Sequence, residues 1–426
     1  MVRGGALALA AILMLGAVSG VEAQEESASV AGWLTSLTGA LPSLPQNWSD
    51  LPLQLKATEA LGYNDNVLNT PSNQPLFHSV RSFESISDYG ASKKWNWEGE
   101  QFFADAEYGF YRYLSDAALD TDHYSVDAGV NWIYTSTCFG KLALTAQKSP
   151  SQPNQQVAIN VLNTVTTLTF SETANCAVTG NWGFVFNSGT SKSTNSAAAD
   201  ALNNFQNKFV AAGMTYTVAE ANTLQLLATV TGTSYPDRGS AATQTGLLNK
   251  FTEDQVNLSY TRVINPNLSL IGSIGVVGIT NGDFDFGWPS GWEPQYSIST
   301  TWSVTPRITL SASFAHVVTP PTSLIGNLQV NENALLDLKY QLTPKVMLGV
   351  GGTWGLSSGF GAVSATGLLL PIRQGSLQRN YNFRASVAYS MSPFLTANLS
   401  YQYYRQESNL VTPSNVALLT VNYAPY

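Results

Sequence analysis

The feature that most constrains this chain is a period-two alternation whose two faces have the wrong chemistry for a water-soluble sheet. From Tyr124 to Tyr134, the residues Tyr124, Val126, Ala128, Val130, Trp132 and Tyr134 share one parity, and Ser125, Asp127, Gly129 and Asn131 share the other. From Leu395 to Tyr403, Leu395, Ala397, Leu399, Tyr401 and Tyr403 alternate with Thr396, Asn398, Ser400 and Gln402. Val346 to Trp354 repeats the pattern, with Val346, Leu348, Val350 and Trp354 against Met347, Gly349, Gly351 and Thr353. Period two is the signature of strands. A soluble strand turns Lys and Glu outward, whereas here the polar face is Ser, Thr, Asn, Gln and Gly. The apolar face tends to begin or end in Tyr or Trp, as the aromatic girdles of a transmembrane barrel do. Charge confirms the inversion: Asp, Glu, Lys and Arg make up 11% of 426 residues, against roughly 25% in soluble domains. The reading is all-β, a transmembrane antiparallel up-and-down β-barrel. A mean hydropathy of −0.02 is too low for a bundle of membrane helices. The net charge of −8, with no basic cluster, argues against a nucleic-acid partner.

The first residues read as an address. Met1-Val2-Arg3 is cationic, Gly4 to Gly20 is apolar, and Val21-Glu22-Ala23 has the small-residue form of a cleavage site. Residues 1–23 are therefore expected to be a signal peptide, the alternative being an uncleaved anchor. Residues 24–50 are expected to be a periplasmic lead-in, or a segment that enters the lumen as a plug. Residues 51–426 are expected to form the barrel.

Recurring proline turns set the strand count. They occur at Ile264-Asn265-Pro266-Asn267, Val304-Thr305-Pro306-Arg307, Leu342-Thr343-Pro344-Lys345 and Met391-Ser392-Pro393-Phe394. Proline fixes φ in a turn and needs no ladder hydrogen bond there. A spacing of roughly 40 to 50 residues accommodates two strands, a long loop and a short turn. Extending the period backward places turns near Ala219-Glu220, Asn175-Cys176, Thr137-Cys138 and Trp97-Glu98. Eight short turns and nine hairpins predict about 18 strands, with both barrel ends on the periplasmic side. Longer connections are expected at Ser191 to Asn204, Tyr235 to Lys250, Asn281 to Gly291 and Ser357 to Gln378. The last strand, Val416 to Tyr426, ends in an aromatic residue, which suits recognition by barrel assembly machinery, and the wall's partner is outer-membrane lipid.

Few residues suggest chemistry. Cys138 and Cys176, one hairpin period apart, are expected to be bridged, two free thiols being the alternative. No metal site is expected from them, since no His lies near. By parity the lumen carries Glu84, Asp105, Glu107, Asp127, Lys141, Arg307, Asp337, Lys339 and Arg384. Opposed charges there set a transverse field and selectivity, or brace the wall as ion pairs. Tyr111, Tyr113 and Tyr404 share the inward parity, where they stack against sugars or simply fill space. His78 and His123 are expected in outer loops and His316 near an outer strand end, solvated and without catalytic partners. Asp283 and Asp285 fall short of a calcium loop. No cofactor motif is present, and an enzyme is not expected.

The first strand ends in Gly62-Tyr63-Asn64-Asp65-Asn66-Val67. Asp65, Asn66 and Val67 in that position, followed by hairpins with proline turns, resemble the outer-membrane β-barrel porin family found beside exopolysaccharide systems. The resemblance implies an 18-stranded barrel and an outer-membrane exit for exported polysaccharide, with a periplasmic polysaccharide-export component as partner. The residues themselves equally suit a general diffusion porin for small polar solutes. They also suit a structural or surface-binding barrel, for which the apolar run Leu368 to Ile372 is the motive.

Overall fold

A computed structural model describes residues 53–67, 81–97, 100–115, 117–150, 163–218, 222–238, 249–281, 292–319, 328–363, 369–373, 378–407 and 411–424. The expected signal peptide and lead-in lie outside the described residues.

The strands are β1 (Gln54–Asn64), β2 (Ser82–Trp97), β3 (Glu100–Tyr113), β4 (Thr121–Thr135), β5 (Cys138–Pro150), β6 (Thr164–Thr179) and β7 (Trp182–Asn195). Next come β8 (Phe205–Val218), β9 (Asn222–Ser234), β10 (Lys250–Asn265), β11 (Leu268–Asn281), β12 (Trp292–Thr305) and β13 (Ile308–Thr319). The last are β14 (Leu328–Thr343), β15 (Val346–Val363), β16 (Leu369–Arg373), β17 (Gln378–Ser392), β18 (Leu395–Glu407) and β19 (Val411–Tyr423). Each wall strand pairs antiparallel with its chain neighbours, and β1 pairs with β19, so the sheet closes on itself. The five-residue β16 sits on the outer end of β15, while β15 also pairs with β17. The closed wall therefore has eighteen strands, as the turn period predicted. Closure removes the unpaired edges that an open sheet exposes, which a backbone in hydrocarbon requires.

The register carries one consistent parity around the barrel. Leu61, Phe83, Leu144, Phe170, Ile274, Ile298, Leu336, Leu399 and Leu419 lie on the exposed outer face. Aromatic pairs ring that face at both heights. Trp95 stacks on Phe102 at 5.7 Å and Trp182 meets Tyr216 at 4.7 Å toward the short turns. Tyr63–Phe83 at 5.3 Å and Tyr108–Phe110 at 4.9 Å occupy the opposite end. An apolar band between aromatic girdles is the surface a bilayer selects, and the protein is an outer-membrane barrel.

Carboxylates interrupt this face, Glu59, Asp122 and Glu172 among them. Glu59 faces outward and accepts hydrogen bonds from Tyr89 Oη at 2.5 Å and Ser87 Oγ at 2.7 Å. Glu172 accepts one from Ser188 Oγ at 3.3 Å.

The turn expected at Asn175-Cys176 falls four residues later, between Thr179 and Trp182, because Gly180 there adopts a φ of +54°. That left-handed conformation is costly for any residue with a Cβ. Cys176 thus lies within β6, directly opposite Cys138, the first residue of β5, and the two form a disulfide. The expected loop from Ser357 instead continues β15 to Val363 and then forms β16. Likewise the connection expected from Ser191 begins only after β7 ends at Asn195. Period two runs through polar stretches as readily as apolar ones, so composition underestimates strand length.

The β1–β19 seam is fastened at its outer end by the Asn64-Asp65-Asn66 run. Asp65 accepts from Asn415 N at 2.7 Å and from Asn415 Nδ2 at 2.6 Å. The Asp65 amide donates to Asn415 O at 3.1 Å. Asn66 Nδ2 donates to Pro413 O at 2.8 Å, and Asn64 Oδ1 accepts from Ser414 Oγ at 3.0 Å. The asparagines and aspartate that marked the end of the first strand are the latch of the barrel.

Candidate functional site: the inner wall

The inward parity of every strand gathers on one continuous surface, so the site is built by register rather than by a loop. Its ground is small and polar: Ser273 and Ser297 hydroxyls lie 2.7 Å apart, and Asn398, Ser400 and Gln402 line β18. Upon this ground, two regions of charge stand out among the described residues, apart from Glu253 and Glu293 on β10 and β12.

The first region spans β1 to β5. Glu84, Asp88, Asp105, Glu107 and Asp127 face inward with Lys56, Lys94 and Lys141. Lys56 pairs with Glu107. Asp105 and Asp127 are directly opposed across β3 and β4, two like charges side by side. Asp127 is relieved by Thr145 Oγ1, which donates at 2.9 Å, and by Lys141 at 3.8 Å. The Lys141 ammonium also sits 4.6 Å from the Phe103 ring centroid, a cation–π contact. Glu84 is nearly sealed, beside an apolar cluster of Ala60, Ile86, Tyr111 and Leu418. It therefore offers little charge to a passing solute.

The second region spans β14 to β17. Arg384 donates from Nη2 to Asp337 Oδ1 at 2.8 Å, and Lys339 lies 4.0 Å from the same carboxylate. Gly351, the register partner of both Asp337 and Arg384, leaves the room that their side chains occupy. Two cations thus share one anion here.

Arg307 does not join either region. It occupies the turn between β12 and β13, where its amide accepts no ladder role and instead donates to Thr305 Oγ1 at 3.2 Å. The parity count ran one residue into the turn.

The histidines also move. His78 lies outside the described residues, as do Asp283 and Asp285. His123 is on β4, buried on the inner wall with Nε2 2.6 Å from Asp88 Oδ1, rather than in a solvated loop. Its ring lies 4.8 Å from Tyr111. His316 is near the outer end of β13 as expected, but it too is buried, stacked at 4.9 Å on Tyr296 and 3.3 Å from Glu332 Oε1. Sequence reasoning missed Lys56, Asp88, Lys94 and the placement of His123. The signal was present for Asp88, which has the same parity as Glu84, and for Lys56, flanked by Leu55 and Ala57 in strict alternation.

The connections at the outer end are knitted by amides. Asn163 Nδ2 donates to Asn195 Oδ1 at 2.8 Å, Asn195 N to Asn204 Oδ1 at 2.6 Å, and Asn204 Nδ2 to Asp237 Oδ2 at 2.7 Å. Beside them Arg238 lies 3.4 Å over the Tyr235 ring and donates to Leu202 O at 3.0 Å. Burial pushes the Tyr235 phenol up to about 12.

No family model matches the chain, and no curated protein matches it. Among solved structures it is similar to outer-membrane proteins of Pseudomonas aeruginosa. The siderophore receptor PirA is 10% identical with a TM-score of 0.42, over 87% of this chain and 80% of that one. OpdK, crystallised with vanillate, is 11% identical at 0.44, over 87% and 98%. OccK2 (OpdF) is 10% identical at 0.47, over 88% and 98%. Nothing of their cargo or their site residues transfers to this chain at such identities.

Proposed function

We propose that this barrel is a passive outer-membrane channel for small polar solutes, with selectivity set by opposed charges on its inner wall. The observation that carries the reading is the separation of those charges. Acids outnumber lysines in one sector, where Asp105 and Asp127 stand side by side at mid-strand, and Lys339 and Arg384 outnumber Asp337 in another. A wall of eighteen strands is wide enough for an aqueous lumen. Charges of opposite sign across such a lumen orient dipolar solutes and bias ion flow. Planar-bilayer recording on the purified barrel tests this. Ohmic conductance is expected, unchanged in kind when residues 24–50 are deleted. A barrel that stays silent in both forms is not a diffusion channel.

Polysaccharide export, the finer reading that the Asp65-Asn66-Val67 resemblance implies, has less support. Asp65 and Asn66 hold the seam. Tyr111 is buried against its neighbours, with no open ring face for a sugar. Deletion of the gene distinguishes the two readings: loss of surface polysaccharide favours export, and altered uptake of small solutes favours diffusion.

A further inference from the structure

On three adjacent strands of the inner wall, Asp88 (β2), Glu107 (β3) and His123 (β4) bring one ligand atom each within 4.8 Å of one another. We infer that this cluster is a binding site for a divalent metal ion of the zinc class. Its donors are two carboxylate oxygens and an imidazole nitrogen, with a further position open to the lumen. A set of one nitrogen and two oxygens suits zinc and similar borderline ions, whereas calcium and magnesium prefer oxygen alone.

Local sequence builds the cluster. Asp88, Gly109 and His123 are register partners across β2, β3 and β4, so the carboxylate and the imidazole meet over the glycine between them. A Cβ at Gly109 would lie well inside van der Waals contact of both Asp88 Oδ1 and the His123 ring. Gly90, the partner of Glu107, likewise leaves the space in which the Lys56 stem lies. Asp88 and His123 are more than nine-tenths buried, and Tyr111 packs on the imidazole, so two donors are held in place before any ion arrives. Glu107 is a quarter exposed and supplies the open side. Coordination through His123 Nε2 moves the imidazole proton to Nδ1. That atom is buried and has no hydrogen-bond partner among the described residues, so the shift exchanges the Nε2 hydrogen bond to Asp88 for a bond to the ion and disturbs no contact of Nδ1.

Lys56 is the competitor. Its ammonium now neutralises Glu107, yet its side chain is half exposed, and four methylenes let it swing into the lumen. A doubly charged ion replaces one positive charge between two carboxylates with two. The sequence carries no sign of this site because its ligands are separated by hairpins and come together only through register.

The inference does not depend on conduction, since a closed barrel could bind the ion equally. The test is titration of the folded full chain in detergent with Zn²⁺, and with Co²⁺ as a spectroscopic probe, after chelator treatment. One equivalent of Zn²⁺ is expected, with Co²⁺ giving a d–d spectrum that Zn²⁺ abolishes, while Ca²⁺ and Mg²⁺ do not compete. His123→Gln and Asp88→Asn should each weaken binding at least tenfold, judged on protein that keeps its heat-modifiable mobility. Glu107→Gln, at the exposed position, gives the same reading should a buried variant fail to fold. Lys56→Met should bind several-fold more tightly, an effect that a mere wall brace does not produce. Absence of stoichiometric binding, or binding that His123→Gln and Glu107→Gln both leave unchanged, overturns the inference.

Discussion

Asp65 shows how much one side chain can hold. It accepts two hydrogen bonds from a residue 350 positions away in the chain. Bonds to a charged acceptor each stabilise by about 1.5–3 kcal/mol, and partial solvent exposure reduces this. Asp65→Ala is expected to cost about 1–3 kcal/mol, with a lower urea midpoint and a lower temperature of gel-mobility conversion. Asp65→Asn should recover part of the loss, because its amide oxygen still accepts. Glu59 is the counterpart on the lipid face. Tyr89→Phe removes one of its two donors and leaves a carboxyl less satisfied in hydrocarbon. The barrel should lose stability by the same measurement, whereas Glu59→Gln should be tolerated better than Tyr89→Phe.

At the scale of the element, hairpins explain what was legible in the sequence and what was not. Period two and proline turns announced the strands β10 to β15 and β17 to β19 and their number, since each turn has its own chemistry. The β6–β7 turn, which has no proline, was misplaced; its marker is a single glycine at positive φ. Nothing packs within 4 Å of a Cβ placed on Gly180. Gly180→Ala is therefore expected to cost roughly 1 kcal/mol through backbone strain alone, and Gly180→Asn less, as seen in the same denaturation midpoints. Arg307 failed for the same reason: parity holds only within a strand. The disulfide survived the turn error because cross-strand pairing depends on register rather than on where the turn lies. Mass spectrometry should find no alkylation of Cys138 or Cys176 in unreduced protein and two additions after reduction. The inner-wall pairings themselves, such as Asp88 with His123, were illegible because no local pattern encodes which strands become neighbours in register.

At the scale of the molecule, the two charged sectors make the selectivity testable. Arg384→Glu removes a cation and adds an anion where Asp337 and Lys339 already stand. Reversal potentials in a salt gradient should shift toward cation preference. Asp105→Asn with Asp127→Asn should shift them the other way, and the opposed-carboxylate strain between these residues predicts no loss of stability. Equal reversal potentials in all three proteins would show that ions do not pass this wall.

The latch has a consequence for the order of events. Every other pairing in the wall joins strands that follow one another closely in the chain, with only β16 stepping aside between β15 and β17, but β1 meets its second partner only when β19 arrives. Until then the growing sheet has two raw edges, each able to capture a strand from another chain. The entropy of joining distant ends grows only slowly with length, so the hazard is the waiting time rather than the final equilibrium. The bonds between Asp65 and Asn415 act at that last moment. A chain lacking them should accumulate unclosed intermediates in time-resolved refolding, even where its finished wall is nearly as stable.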